Sequence, residues 1–147
     1  MSIDPIVAVE QWLKHVKKRR KELDNMSICP FASKLPIVKP VVVIDTNIIE
    51  LNDNMVIYVE QSKLTSFDDL EKIAKLLNKQ YDDYVFIPDH YEHNTYIGDN
   101  IRTNNNHFPI LMQQKKIELI NARKSLNKNY YKHYSNNYLN ILKNYGK

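Results

Sequence analysis

Apolar residues recur at Ile6, Val9, Trp12, Leu13 and Val16, the three-and-four spacing of a single helix face. The pattern predicts a helix over residues 5–23, with Asp4 as its cap and Pro5 at the favoured first position. Its last turns, Lys17-Lys18-Arg19-Arg20-Lys21, put positive charge where the macrodipole favours it. That run reads either as a solvated helix end or as a patch for an anion or nucleic acid. Pro30, Pro36 and Pro40 then punctuate a loop. Residues 41–44 and 55–59 read as buried strands. Asn52-Asp53-Asn54 between them is turn chemistry, so an antiparallel hairpin is expected. Ser66 opens a second helix, with Asp68 and Asp69 in its first turn and Phe67, Leu70, Ile73, Ala74 and Leu77 on its apolar face. Residues 84–87 form a third strand, stopped by Pro88. The pattern dissolves over 89–106 into a polar loop, long enough to be functional or mobile. A third helix is expected from about Pro109 through Ile117, Ile120 and Ala122, and a last one over 129–145.

Helix, strand, strand, helix, strand predicts an α+β fold: a small antiparallel or mixed sheet of three to four strands, with helices packed on one face. A chain of 147 residues suits a single domain, 1–147, that buries about two-thirds of its unfolded surface. No apolar run reaches the roughly 20 residues a membrane span takes, and the first residues lack the pattern of a secretion signal. The lone cysteine excludes an internal disulfide framework and fits a reducing compartment, so a cytoplasmic protein without membrane attachment is expected. A net charge of +4 permits nucleic-acid contact without arguing for it. Two glycines are too few for a dinucleotide or phosphate-binding loop. The abundant Asn, Lys, Ile and Tyr all have AT-rich codons, as expected of an AT-rich phage or bacterial genome. That bias discounts the Lys and Asn runs as signals.

Three features carry candidate chemistry. Cys29 lies between the first helix and Pro30, whose ring turns the preceding backbone away from helical geometry. A nearby basic segment would stabilise its thiolate, whereas a helix C-terminus would raise the thiol pKa. The alternative is a small buried hydrophobe. Second, His90, Glu92 and His93, with His107 further on, could complete the shell of a divalent metal. One of the three histidines could instead act as the base for Cys29. His15 and His133 read as surface residues. Third, Tyr130, Tyr131, Tyr134, Tyr138 and Tyr145, with Lys128, Lys132 and Lys143 interleaved, form a C-terminal stripe. It could pack on its own sheet, on a protein partner or a second copy, or stack on single-stranded bases.

Trp12 in an opening helix, then Cys29-Pro30-Phe31-Ala32, then a helix and a strand ending at Pro88, resembles the bacterial domain-of-unknown-function family fourteen-fifteen. Asn104-Asn105-Asn106-His107-Phe108-Pro109-Ile110-Leu111 is similar to that family's Asn-Arg-Ser-Pro-Tyr-Pro-Thr-Leu stretch. The likeness runs thinly over the first 125 residues. Ile28 replaces the usual leucine before the cysteine. Gln114-Lys115 stands where the family has a Leu-Arg pair, so no arginine-dependent role is carried over. The resemblance implies no established reaction, but it raises the weight of Cys29. Two functional readings result: a thiol-centred catalytic or metal site built on Cys29 and the histidines, or a non-enzymatic interaction module using the tyrosine stripe.

Overall fold

The computed structural model describes residues 3–17, 19–20, 26–27, 36–97 and 101–124. Helix α1 (Pro5–Lys17) starts where its cap places it, the Asp4 carboxylate accepting from the N–H groups of Ile6 at 2.9 Å and Val7 at 3.2 Å. It buries Ala8, Val9, Trp12, Leu13 and Val16. It does not run to residue 23. Two short strands follow, β1 (Arg19–Arg20) and β2 (Met26–Ser27), paired antiparallel with Arg19 opposite Ser27. Like charges three and four apart repel on a helix face, and the strand pairing gives these backbone groups other partners. Lys17 ends α1, whereas Arg19 and Arg20 of the basic run lie beyond the helix in β1.

The remaining elements are β3 (Ile37–Val41), β4 (Val56–Glu60), α2 (Phe67–Gln80), β5 (Tyr84–Asp89), the small hairpin β6 (Tyr96–Ile97) and β7 (Ile101–Arg102), β8 (Ile110–Lys115) and α3 (Lys116–Lys124). The main sheet is mixed, in the order β3-β4-β8-β5. β8 runs antiparallel to both β4 and β5, so the two strands joined by α2 are parallel with β8 inserted between them. The α+β class with a four-stranded sheet is as expected. Ser66 caps α2 by accepting from the Asp69 N–H at 3.2 Å, as its sequence pattern requires.

Three expectations give way. The first two strands are not a hairpin: β3 is shifted to Ile37–Val41 and lies parallel to β4, with Ile37 opposite Val56. Val42, expected inside, is 71% exposed. Residues 110–115, expected to open a helix, form the central strand β8. Leu, Met, Gln and Lys favour helices intrinsically, but here burial on both sides overrides propensity. Nor do the helices share one face. Alternate residues of a strand point to opposite faces: Ile57 and Val59 join Val9, Trp12, Leu13 and Ile110 under α1, while Val56 and Tyr58 join Leu70, Ala74, Leu77 and Leu111 under α2. This explains why all five residues of β4 are buried.

Both edge strands contain a proline, read from sequence as loop or strand stop. On β3 the N–H of Ile37 and the carbonyl of Val41 bond toward the β4 side. Pro40, of opposite orientation, therefore leaves its missing N–H on the free side. On β5 the outward N–H and C=O of Phe86 are taken by the Asn78 carboxamide of α2, at 2.8 and 3.0 Å. Pro88 has the same orientation as Phe86, so its missing donor also lies outside the ladder.

The crossover between β3 and β4 is held by buried polar groups. The Tyr58 hydroxyl accepts from the Glu50 N–H at 2.9 Å and donates to Gln113 Oε1 at 2.7 Å. Gln113 Nε2 in turn donates to the Glu50 carbonyl at 2.9 Å. Burial raises the Tyr58 pKa above its ordinary value, so the donor proton stays in place. Among the described residues no helix is long and apolar enough to cross a membrane. Tyr58→Phe leaves Gln113 Oε1 and the Glu50 N–H without partners. An unsatisfied buried group costs about 1–3 kcal/mol, and urea denaturation of the variant should show a loss of that size with an unchanged slope.

Candidate functional site

Polar residues gather beyond the carboxyl ends of the parallel strands β4 and β5, the end of such a sheet where ligands commonly bind. At the end of β4, the fully buried Glu60 carboxylate accepts from the N–H groups of Ile44 and Thr65, both at 2.8 Å, and from the Thr65 hydroxyl at 2.6 Å. Lys63, with a left-handed φ of 57°, lies over the rings of Tyr91 and Phe108. These contacts fix the loop between β4 and α2.

At the end of β5, Asp89 Oδ2 accepts from the Asn105 backbone N–H at 2.9 Å and from Asn105 Nδ2 at 2.6 Å. Asn105 Oδ1 accepts from the N–H groups of His107 and Phe108, and its amide nitrogen also donates to the Phe108 carbonyl at 2.9 Å. Asn104 Oδ1 accepts from the Thr95 N–H and from Arg102 Nε. Arg102 Nη2 donates to the Tyr91 carbonyl at 2.7 Å. Burial raises the Asp89 carboxyl from its ordinary 3.8 to about 6, against the opposing pull of the Asn105 hydrogen bonds and the Arg102 charge.

Helix α1 is stitched to this network. Trp12 Nε1 donates to the Thr103 carbonyl at 2.9 Å, and His15 Nε2 donates to the Arg102 carbonyl at 2.6 Å. A carbonyl only accepts, so this nitrogen of His15 carries the proton. Between α1 and the 102–107 segment lies a cavity of about 180 Å³, whose walls include Gln11, Trp12, His15, Arg102, Asn106 and His107.

The sequence-nominated residues fare differently. His90 is buried, with Nε2 donating to the Thr65 carbonyl at 2.8 Å and Nδ1 accepting from the Glu92 N–H at 3.1 Å. Both ring nitrogens are thus committed to backbone, leaving no lone pair for a metal or a substrate proton. His93 stacks on Phe67 at 3.7 Å between centroids, and burial lowers its pKa. Glu92 is exposed, and His107 faces the cavity instead. Among the described residues no three His, Cys, Asp or Glu side chains converge to hold a metal, so His90, Glu92, His93 and His107 do not form the expected cluster. Cys29 and the rest of the Cys-Pro-Phe-Ala motif lie outside the described residues. So do His133 and the expected helix over 129–145 with Tyr131, Tyr134, Tyr138 and Tyr145.

Sequence reasoning missed Gln11, His15, Arg102, Asp89 and Asn105. For His15 a signal existed: it follows Trp12 by three and Gln11 by four, so it shares the inward-facing side of α1. Arg102, Asp89 and Asn105 sit in a polar stretch where only the fold distinguishes structural from solvated groups. Comparisons with protein-family models, with curated proteins and with solved structures found no match.

The Asp89 environment generates a pH signature. Between 3.8 and about 6 the native carboxyl keeps a proton that the unfolded chain has lost. Stability therefore falls as pH rises through that window, by about 3 kcal/mol at most from this group. Asp89→Asn keeps an oxygen to accept both Asn105 bonds and cannot ionise. Urea melts from pH 4 to 7 should show this part of the slope in the wild type and its absence in the variant.

Proposed function

We propose that the protein carries out thiol chemistry on a small polar molecule bound in the cleft between α1 and the 102–107 segment, with Cys29 as nucleophile and His107 as its base. The observation that carries this reading is the cleft itself. Of the three histidines that could serve a thiol, His107 lines this cleft, while His90 is locked to backbone and His93 is stacked on Phe67. Support for Cys29 comes from chain connectivity. Ser27 pairs with Arg19 just beyond α1, at the end of the helix that carries His15. Cys29 follows Ser27 by two residues in the sequence. A Cys–His couple activates a sulfur by withdrawing its proton, because the thiolate is the reacting species. A reduced thiol of this kind belongs in a cytoplasmic setting. The likeness of Cys29-Pro30-Phe31-Ala32 and of the segment from Asn104 to family fourteen-fifteen belongs to the same proposal.

The test is native-state alkylation by iodoacetamide followed by intact-mass spectrometry. Rapid modification of Cys29, slowed about tenfold or more in His107→Gln, supports a coupled pair, as general-base assistance is worth at least that much. A native thiol that reacts only after unfolding would make Cys29 a packing residue and remove the reading.

A further inference from the structure

The walls of the cleft have a one-sided chemistry. Arg102, His15 and His107 belong to basic residue types, Gln11 and Asn106 offer amide donors, and among the described residues no carboxylate lines the cavity. The acidic group nearest this wall in the bonding network, Asp89, accepts from Asn105 and does not line the cavity. His15 is oriented by the Arg102 carbonyl and Arg102 by the Tyr91 carbonyl and Asn104 Oδ1. Two of these three side chains are thus held before any ligand arrives, which lowers the ordering cost of binding. The third, His107, is placed by its own backbone N–H, which donates to Asn105 Oδ1 at 2.9 Å. Trp12 closes the apolar side, its N–H turned away onto Thr103.

The geometry points to an oxyanion site in this cleft: the molecule bound between α1 and the 102–107 segment carries a carboxylate or a phosphate monoester, held by Arg102, His15 and His107. The inference rests on the cleft being the ligand site and supplies the substrate class that the thiol reading lacks. It accounts for the cleft's composition, since a cationic ligand would gain nothing from a wall that carries the Arg102 guanidinium and two imidazoles. It also gives the asparagines around Arg102 a purpose beyond the fold. They hold the guanidinium at the wall through neutral acceptors, while its charge also acts on the Asp89 carboxyl behind Asn105.

The experiment is a titration of isotope-labelled protein with inorganic phosphate and, separately, acetate, at constant pH and ionic strength, with chloride as the control. Imidazole resonances are the readout. Saturable shifts of the His15 and His107 rings with either anion, with His90 and His93 unmoved, are expected, and the tighter of the two anions identifies the headgroup. Gln11 and Asn106 are exposed, so charges placed there test the field without disturbing the core. Gln11→Glu and Asn106→Asp should weaken binding about three- to tenfold, and Gln11→Lys should tighten it comparably, as a charge several ångströms away in a half-solvated cleft would. Absence of saturable shifts, or identical affinities across the Gln11 and Asn106 variants, overturns the inference. Cys29→Ser separates the two proposals. Wild-type phosphate affinity in that variant, beside a native thiol inert to alkylation, keeps the anion site and removes the thiol reading. A reactive, His107-coupled Cys29 with no anion binding does the reverse.

Discussion

Asn105 is the constraint on which the polar end of this protein depends. Its side chain has two lone pairs and two amide hydrogens, and all four are used. The oxygen collects the N–H groups of His107 and Phe108, and the nitrogen reaches Asp89 and the Phe108 carbonyl. That assignment admits no reversal, because flipping the amide would point a donor at two donors and an acceptor at a carboxylate. Asn105 thereby turns the chain so that Phe108 drops into the core under α1 while His107 stays at the rim of the cleft. The backbone of Asn105 serves too, its N–H on Asp89 and its carbonyl accepting from Arg102 and Asn104. In a low-dielectric surround such a network is worth most when every member is satisfied.

Packing and site are the same fact at Trp12. Its ring belongs to the cluster that seats α1 on the sheet, and its indole nitrogen holds the Thr103 carbonyl. A change that lifts α1 from Ile57, Val59 and Ile110 would therefore also open the cleft wall. The opposite face, under α2, is independent of this in its apolar contacts and is tied down by Tyr58, Gln113 and the Glu50 backbone.

Elements whose signal is local were legible in the sequence. Asp4 and Ser66 mark helix starts through their own side chains, and the stripes of α1 and α2 have helical spacing. What failed was non-local. β8 is a strand only because β4 and β5 flank it, and its Gln113 is buried only because Tyr58 and Glu50 meet it there. Pro40 and Pro88 read as breaks because sequence does not reveal which strands are edges. Of the site, His107 was nominated and stands at the cavity. His90 was nominated for the same chemistry and is a fastening between two loops, a difference set by Thr65, 25 residues away. His15 was assigned to the surface because the segment it faces lies 87 residues downstream.

The prolines have a consequence for how this molecule behaves among its own copies. A sheet's open rim is a template on which another chain can add a strand, and exposed rims are the usual route to aggregation. Here each rim has a gap in its row of donors, at Pro40 on one side and at Pro88 on the other. At Phe86 one bonding pair of the β5 rim is occupied by Asn78 from the domain's own helix. An incoming strand would meet an interrupted ladder on either side. The fold thus protects a small four-stranded sheet from runaway self-association with two ring side chains and one amide.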